Sequence, residues 1–217
     1  MLKQAIMDIS DKRRREFLVR TLAAGSAASL PGLLHGGSIS YMEGRVLING
    51  QRAARTSLVK PGDTVSTGAA SRVVFVVNDD AFVLRENSRL TLRARGTVVS
   101  LLRLVSGALL GVFGTGTRVR TISAPVVTAG LRGTGVYTEI RSARETYLCT
   151  CYGQLELDAL QLERKEIVTA DHHSARVVAL NQGRGNIRTA PMVNHSDHEL
   201  IMLESLVGRT PPFARSR

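Results

Sequence analysis

Tryptophan is absent from this sequence, and aromatic residues make up only 4% of its 217 positions. The core must therefore be built from Val, Leu, Ile and Ala, and a surface that stacks nucleic-acid bases on aromatic rings is not expected. Cysteine occurs only at Cys149 and Cys151, which excludes the disulfide-dense scaffolds of small secreted domains. Long apolar runs are missing too. A transmembrane helix needs about 20 mostly apolar residues, and the weakly apolar stretch after Arg15 is interrupted by Arg20, Ser26 and Ser29. No Gly-x-Ser-x-Gly elbow occurs, so a serine hydrolase of that kind has no support.

Charge is unbalanced but not concentrated. Lys and Arg number 29 against 18 Asp and Glu, a formal net charge of +11. Six basic and three acidic residues fall within residues 1–38, leaving a body with 23 basic and 15 acidic residues, or +8. These charges are scattered through alternating segments. A binder of nucleic acid or of an anionic surface would need one contiguous basic face and would release its partner in salt. A nucleic-acid partner is not expected.

Residues 11–37, "DKRRREFLVRTLAAGSAASLPGLLHGG", pass from charged to weakly apolar to small residues. They resemble a twin-arginine export signal, with Arg14, Arg15, Phe17 and Leu18 in the positions of its consensus. Such a signal is a receptor-read address rather than an anchor. A basic amphipathic helix is the alternative. The expectation is export to a bacterial periplasm, with residues 1–40 as the signal segment and no transmembrane span after it.

Beyond Glu43 the apolar period is close to two, the signature of strands. Asn49-Gly50 is a strong hairpin signal, and Pro61-Gly62-Asp63, Asn78-Asp79-Asp80 and Glu86-Asn87-Ser88 mark further turns. "TVVSLLRLVSGALLGVFG" is long enough for a helix, but Gly107, Gly111 and Gly114 favour short buried strands. Strands recur with no helical period between them, so the fold expected is all-β: a roll, sandwich or solenoid-like domain with one C-terminal α-helix. That helix falls near residues 197–207. Ser196 and Glu199 have capping-box spacing, Leu200, Leu203, Leu206 and Val207 supply an apolar face, and Gly208 and Pro211-Pro212 end it. "GTGTR" and "GLRGTG" do not read as phosphate loops, because the β-prone "VYTEI" follows the second where a helix would be needed.

The order of these signals resembles the FecR-type periplasmic domain. The matching stretches are "GRVLINGQRA", "VKPGDTVSTGAASRVVFVVNDDAFVLRENSRLTL", "LVSGALLGVFG" and "TISAPVVTAGLRGTGVYTEI", the last holding the family's Arg132, Gly133 and Thr134. The resemblance covers roughly Tyr41 to Leu157, giving a FecR-like β domain over 41–160 and an extension over 161–217. It implies signalling of iron status across a membrane by proteins with a cytoplasmic sigma-factor-binding region. About a dozen residues precede the arginines here, so sigma-factor binding is not expected. What remains is an exported, non-enzymatic binding or sensing domain whose partner is an envelope protein or ligand. Arg132 is expected in a buried ion pair, with Glu139 as the candidate partner, the functional alternative being an anion contact.

The two thiols sit one residue apart on an alternating segment, so both project from one face. A disulfide between them would be strained. They are either buried packing residues or a ligand pair for a soft or borderline metal such as zinc, copper or iron. The candidate co-ligands are His172, His173, His195 and His198. Adjacent histidines on a strand face opposite ways, so one of His172 and His173 is expected to join a site. His198, at the second position of the helix, is biased toward the neutral form by the helix dipole. The spacing matches no zinc-finger pattern, which favours packing over ligation. The rival reading is a metalloenzyme or redox protein built on these residues.

Overall fold

The computed structural model describes residues 38–114, 120–162 and 164–214, which lie in one compact unit, His35–Arg217. The arginine signal, Arg14, Arg15, Phe17 and Leu18, lies outside the described residues. Among the described residues, fifteen strands form one continuous, strongly curled sheet, a half-barrel with one α-helix. The all-β expectation therefore stands. No helix among the described residues is long and apolar enough to cross a membrane.

The strands follow in quick succession. The first nine are β1 (Ser38–Glu43), β2 (Val46–Ile48), β3 (Gln51–Arg52), β4 (Thr64–Thr67), β5 (Arg72–Val77), β6 (Asp80–Leu84), β7 (Arg89–Arg95), β8 (Val98–Ser106) and β9 (Ala108–Val112). Then come β10 (Arg120–Ala124), β11 (Val127–Ser142), β12 (Glu145–Ala159), β13 (Glu166–Ala170), β14 (Ser174–Asn181) and β15 (Arg184–Ala190), before α1 (Asp197–Leu206). Residues 38–40, assigned to the signal segment above, belong to β1, where Ser38 and Ile39 pair with β5 and Ser40 sits at a bulge.

A two-stranded ribbon, β11 with β12, organises the sheet. One edge of β11 pairs with β10 along Val127–Leu131 and with β9 along Gly135–Glu139, so the sheet forks there. One branch continues through β10, β8, β7, β4, β2 and β3, and the other through β9, β6, β5 and β1. On the far side β12 pairs with β13 and β14, and β15 closes that edge. The ribbon can serve two branches because it is bulged at Arg132-Gly133-Thr134, where the register shifts. Gly133 takes φ of +54°. The buried Thr134 hydroxyl accepts from the Arg132 N–H at 3.1 Å and lies 2.7 Å and 3.0 Å from the carbonyls of Arg132 and Gln154. The Arg132 side chain is exposed, and Glu139 instead accepts from Tyr137 and Asn194. The ion pair expected between Arg132 and Glu139 is thus replaced by a backbone bulge.

Aliphatic side chains fill the curl, as the composition requires. The scarce aromatics are nevertheless concentrated inside. Phe75, Phe82 and Phe113 form a chain of ring contacts at 5.2 Å and 5.6 Å, and Tyr137, Tyr147 and Tyr152 are buried on the ribbon.

Candidate metal centre

Along β12 the side chains alternate. Leu148 enters the main core, whereas Cys149 and Cys151 point to the opposite face together with Tyr147. That face would be open to solvent if the chain ended with β15. Residues 191–196 instead run back across it. The Tyr147 hydroxyl donates to the Pro191 carbonyl at 2.9 Å and accepts from the Val193 N–H at 3.1 Å. His195 stacks on Tyr137 with ring centroids 4.8 Å apart.

The helix then seals the region. Ser196 N–H donates to the Glu199 carboxylate at 3.1 Å, the reciprocal half of a capping box. The same carboxylate pairs with Arg85 at 2.9 Å. Leu200 and Leu203 are buried, and Glu204 accepts from the buried Tyr152 hydroxyl. Leu206 and Val207, expected on the buried face, are exposed and half-buried respectively.

Two histidines meet the thiols from different directions. The turn between β13 and β14 puts His173 at φ of +50°, with its N–H donating to the Cys151 carbonyl at 2.9 Å. Its Nδ1 lies 3.6 Å from Cys149 Sγ. His195 Nε2 lies 3.4 Å from Cys151 Sγ and 3.3 Å from His173 Nδ1. All four donor atoms of Cys149, Cys151, His173 and His195 fall within 4.8 Å of one another, and three of these residues are fully buried.

The outer hydrogen bonds fix which nitrogen faces inward. A carbonyl can only accept, so the 2.8 Å contact between His195 Nδ1 and the Val193 carbonyl places the proton on Nδ1 and a lone pair on Nε2. His173 Nε2 lies 2.8 Å from Asp197 Oδ1, so Nε2 carries a proton, and in the neutral ring Nδ1 holds the lone pair. Two lone pairs and two sulfurs then converge on one point, where a proton or a metal cation must lie. The Cys151 hydrogen bond, aided by His173 and His195 and opposed by burial, holds the Cys149 thiol far below the ordinary range. Burial pushes Cys151 up. Burial alone would lower His173, but its bonds to Cys149 and Asp197 leave it raised. Burial alone would raise Asp197, and its two histidine partners reverse that.

Cys149, His173 and Asp197 also stand in the line of a thiolate–imidazolium nucleophile with its orienting carboxylate. Cys149, however, has no exposed surface, unlike the partly exposed thiols of reactive sites. The four donors together have the makeup of a candidate ligand set.

Of the six candidate ligands, Cys149, Cys151, His173 and His195 come together. His172 sits on the outer side, with Nε2 at 2.9 Å and 3.0 Å from the two Asp197 oxygens. The adjacent histidines therefore share Asp197 rather than facing opposite ways, because the left-handed residue breaks the strand alternation. His198 joins neither group and lines a neighbouring cavity of about 860 Å³. Spacing gave no sign of the Val193 carbonyl's part, and Asp197 carried only the weak signal of an acid in a helix's first turn.

Fold and site together define a β-rich module with a helix-covered Cys/His cluster. No protein-family model and no curated protein matches the chain. Among solved structures it is similar to a candidate anti-sigma factor from Parabacteroides distasonis, solved at 1.65 Å, with a TM-score of 0.50 and 10% identity. The likeness covers 65% of this chain and 64% of that one, so the chain spans less than two thirds of its neighbour. A second structure of the same description and organism, at 2.50 Å, gives a TM-score of 0.49 and 10% identity over 58% of this chain and 59% of that one. At such identity the likeness is one of fold.

Proposed function

We propose that this chain is an exported, non-enzymatic sensing domain of the bacterial envelope, FecR-like in kind, that holds one zinc-like cation through Cys149, Cys151, His173 and His195. The carrying observation is the convergence of two thiol sulfurs and two tautomer-fixed imidazole lone pairs. Zinc bonds of about 2.3 Å to sulfur and about 2.05 Å to nitrogen, arranged tetrahedrally, set donors about 3.3 Å apart for two nitrogens and about 3.5 Å for nitrogen and sulfur. The corresponding separations here are 3.3 Å, and 3.4 Å and 3.6 Å.

Four protein ligands close the coordination shell, which suits a structural or sensory centre rather than a catalytic one. Asp197 and the Val193 carbonyl supply the second shell that orients such ligands. The fold likeness to a candidate anti-sigma factor supports a regulatory partner. The twin-arginine resemblance supports an envelope location, and a route that carries folded proteins suits a cation loaded before transport.

The test is metal per chain, measured on protein purified without chelators, beside a Cys149→Ser/Cys151→Ser double variant. Near-stoichiometric metal that disappears in the variant is expected, and zinc, copper and iron are told apart by the same measurement. A metal-free wild type, folded as well as the variant, overturns the proposal.

A further inference from the structure

The inner centre uses His173 through Nδ1 and needs Asp197 only as the partner of His173 Nε2. It leaves His172 unexplained. That ring is half exposed, with 50% of its side-chain surface accessible, and packs against Phe213 with ring centroids 4.8 Å apart rather than in the core. Yet the chain places a left-handed residue beside it and turns both imidazoles onto one carboxylate. One ring nitrogen of His172, one of His173 and an Asp197 oxygen lie within 4.8 Å of one another, forming a second group of donors.

The separations in this outer group differ from those of the inner one. His172 and His173 stand 2.9 Å and 2.8 Å from Asp197 Oδ1. Bonds of about 2.05 Å meeting at right angles set two donors about 2.9 Å apart, whereas tetrahedral bonds of that length need about 3.3 Å. Right angles belong to tetragonal and octahedral ions. The group also faces the cavity of about 860 Å³ bordered by Asp171, His198, Ile201 and Phe213. Its remaining coordination positions would therefore be open to water or to a small donor ligand.

Resting on the inner-centre reading, we propose that His172, His173 and Asp197 form a second, exchangeable site for a divalent cation of tetragonal preference, bridged to the inner cation by the His173 ring. Two imidazoles and a carboxylate with open positions suit nickel(II) or copper(II), which favour nitrogen and oxygen donors in that geometry. On binding, the Nε2–H bonds to Asp197 give way to coordination. His172 presents its other tautomer, and the His173 Nε2 proton passes to water, leaving an imidazolate that joins the two cations.

The probe is nickel(II). Untagged protein loaded with one equivalent of zinc is dialysed against excess nickel, and both metals are counted per chain. One zinc and one nickel are expected for the wild type. His172→Ala, a change at a half-exposed ring, should keep zinc and lose nickel. Cys149→Ser/Cys151→Ser should lose zinc. A wild type that keeps zinc but takes up no nickel, or nickel undiminished in His172→Ala, overturns the second site while leaving the inner centre intact. A wild type that holds no zinc sinks the inner centre, and the shared ring with it.

Discussion

At His173 the backbone takes φ of +50°, a conformation that costs a β-carbon-bearing residue free energy unless its surroundings enforce it. Here they do: its N–H is tied to Cys151, Nδ1 faces the cluster and Nε2 meets Asp197. The Asp197 bond sets the ring's tautomer and angle without touching the cation. Removing such an outer partner characteristically costs about 10–100-fold in metal affinity. Asp197→Asn should therefore keep one zinc per chain while weakening it by that order in competition with a chromogenic chelator. Unchanged affinity would show that the carboxylate does not orient the ring. A second residue-scale case is Asp80, paired with Arg120 at 2.8 Å deep in the fold. Burial outweighs that pairing and raises Asp80 to about 6 from 3.8. With the folded value above the unfolded one, the protonated form is favoured on folding. This group's stabilisation is complete below pH ~4 and lost as the pH climbs through ~6. Urea midpoints from pH 4 to 7, measured in the Cys149→Ser/Cys151→Ser background to silence the cluster, should fall across that window. Asp80→Asn should flatten the fall, and a slope unchanged by that substitution would exonerate Asp80.

At the scale of elements, signals confined to neighbouring residues were legible in the sequence. Asn49-Gly50 is the hairpin turn it promised, with Asn49 and Gly50 both at positive φ. The capping-box spacing located α1 to within a residue of its end. Features set by distant partners were not legible. The β11–β12 ribbon read as separate short strands because its bulge, at Gly133, looks like a turn in one dimension. The contact of both His172 and His173 with Asp197 was not legible, because alternation holds only in extended backbone and no pattern of side chains announces a left-handed residue that is not glycine. The convergence of Cys149 with His195 depends on residues 191–196 doubling back over β12, which periodicity does not encode. The bulge makes its own prediction through Gly153, which takes φ of +85° opposite it. A Cβ added there would stand 2.5 Å from the Gly133 carbonyl oxygen. Gly153→Ala should thus destabilise the fold by about 1–3 kcal/mol, read as a lowered urea midpoint with an unchanged slope. A midpoint equal to that of the wild type would mean the ribbon tolerates a straighter register.

At the scale of the whole molecule, a cation in the inner centre would join β12, the β13–β14 turn and the segment entering α1. Cys149 and His173 are 24 residues apart, and Cys151 and His195 are 44 apart. The unfolded chain cannot hold all four donors together without a large loss of conformational entropy. The cation therefore binds the folded state preferentially, and its binding free energy adds to folding stability. Free zinc at 100 times its dissociation constant adds about 2.7 kcal/mol. For a domain of this size each kcal/mol moves Tm by about 2–4 °C, so zinc-loaded protein should melt about 5–10 °C above chelated protein. Hydrogen exchange should locate the change: the His173 amide and the first turn of α1 lose protection on chelation, while β5, β6 and β9 keep theirs. The docking of the later turns of α1 through Leu203 and Glu204 does not involve the cation, so chelation should loosen the N-terminal end of the helix before the rest. Coincident melting curves with and without zinc would mean that the cluster holds its shape through hydrogen bonds alone, and the C-terminal segment would then be fastened independently of metal.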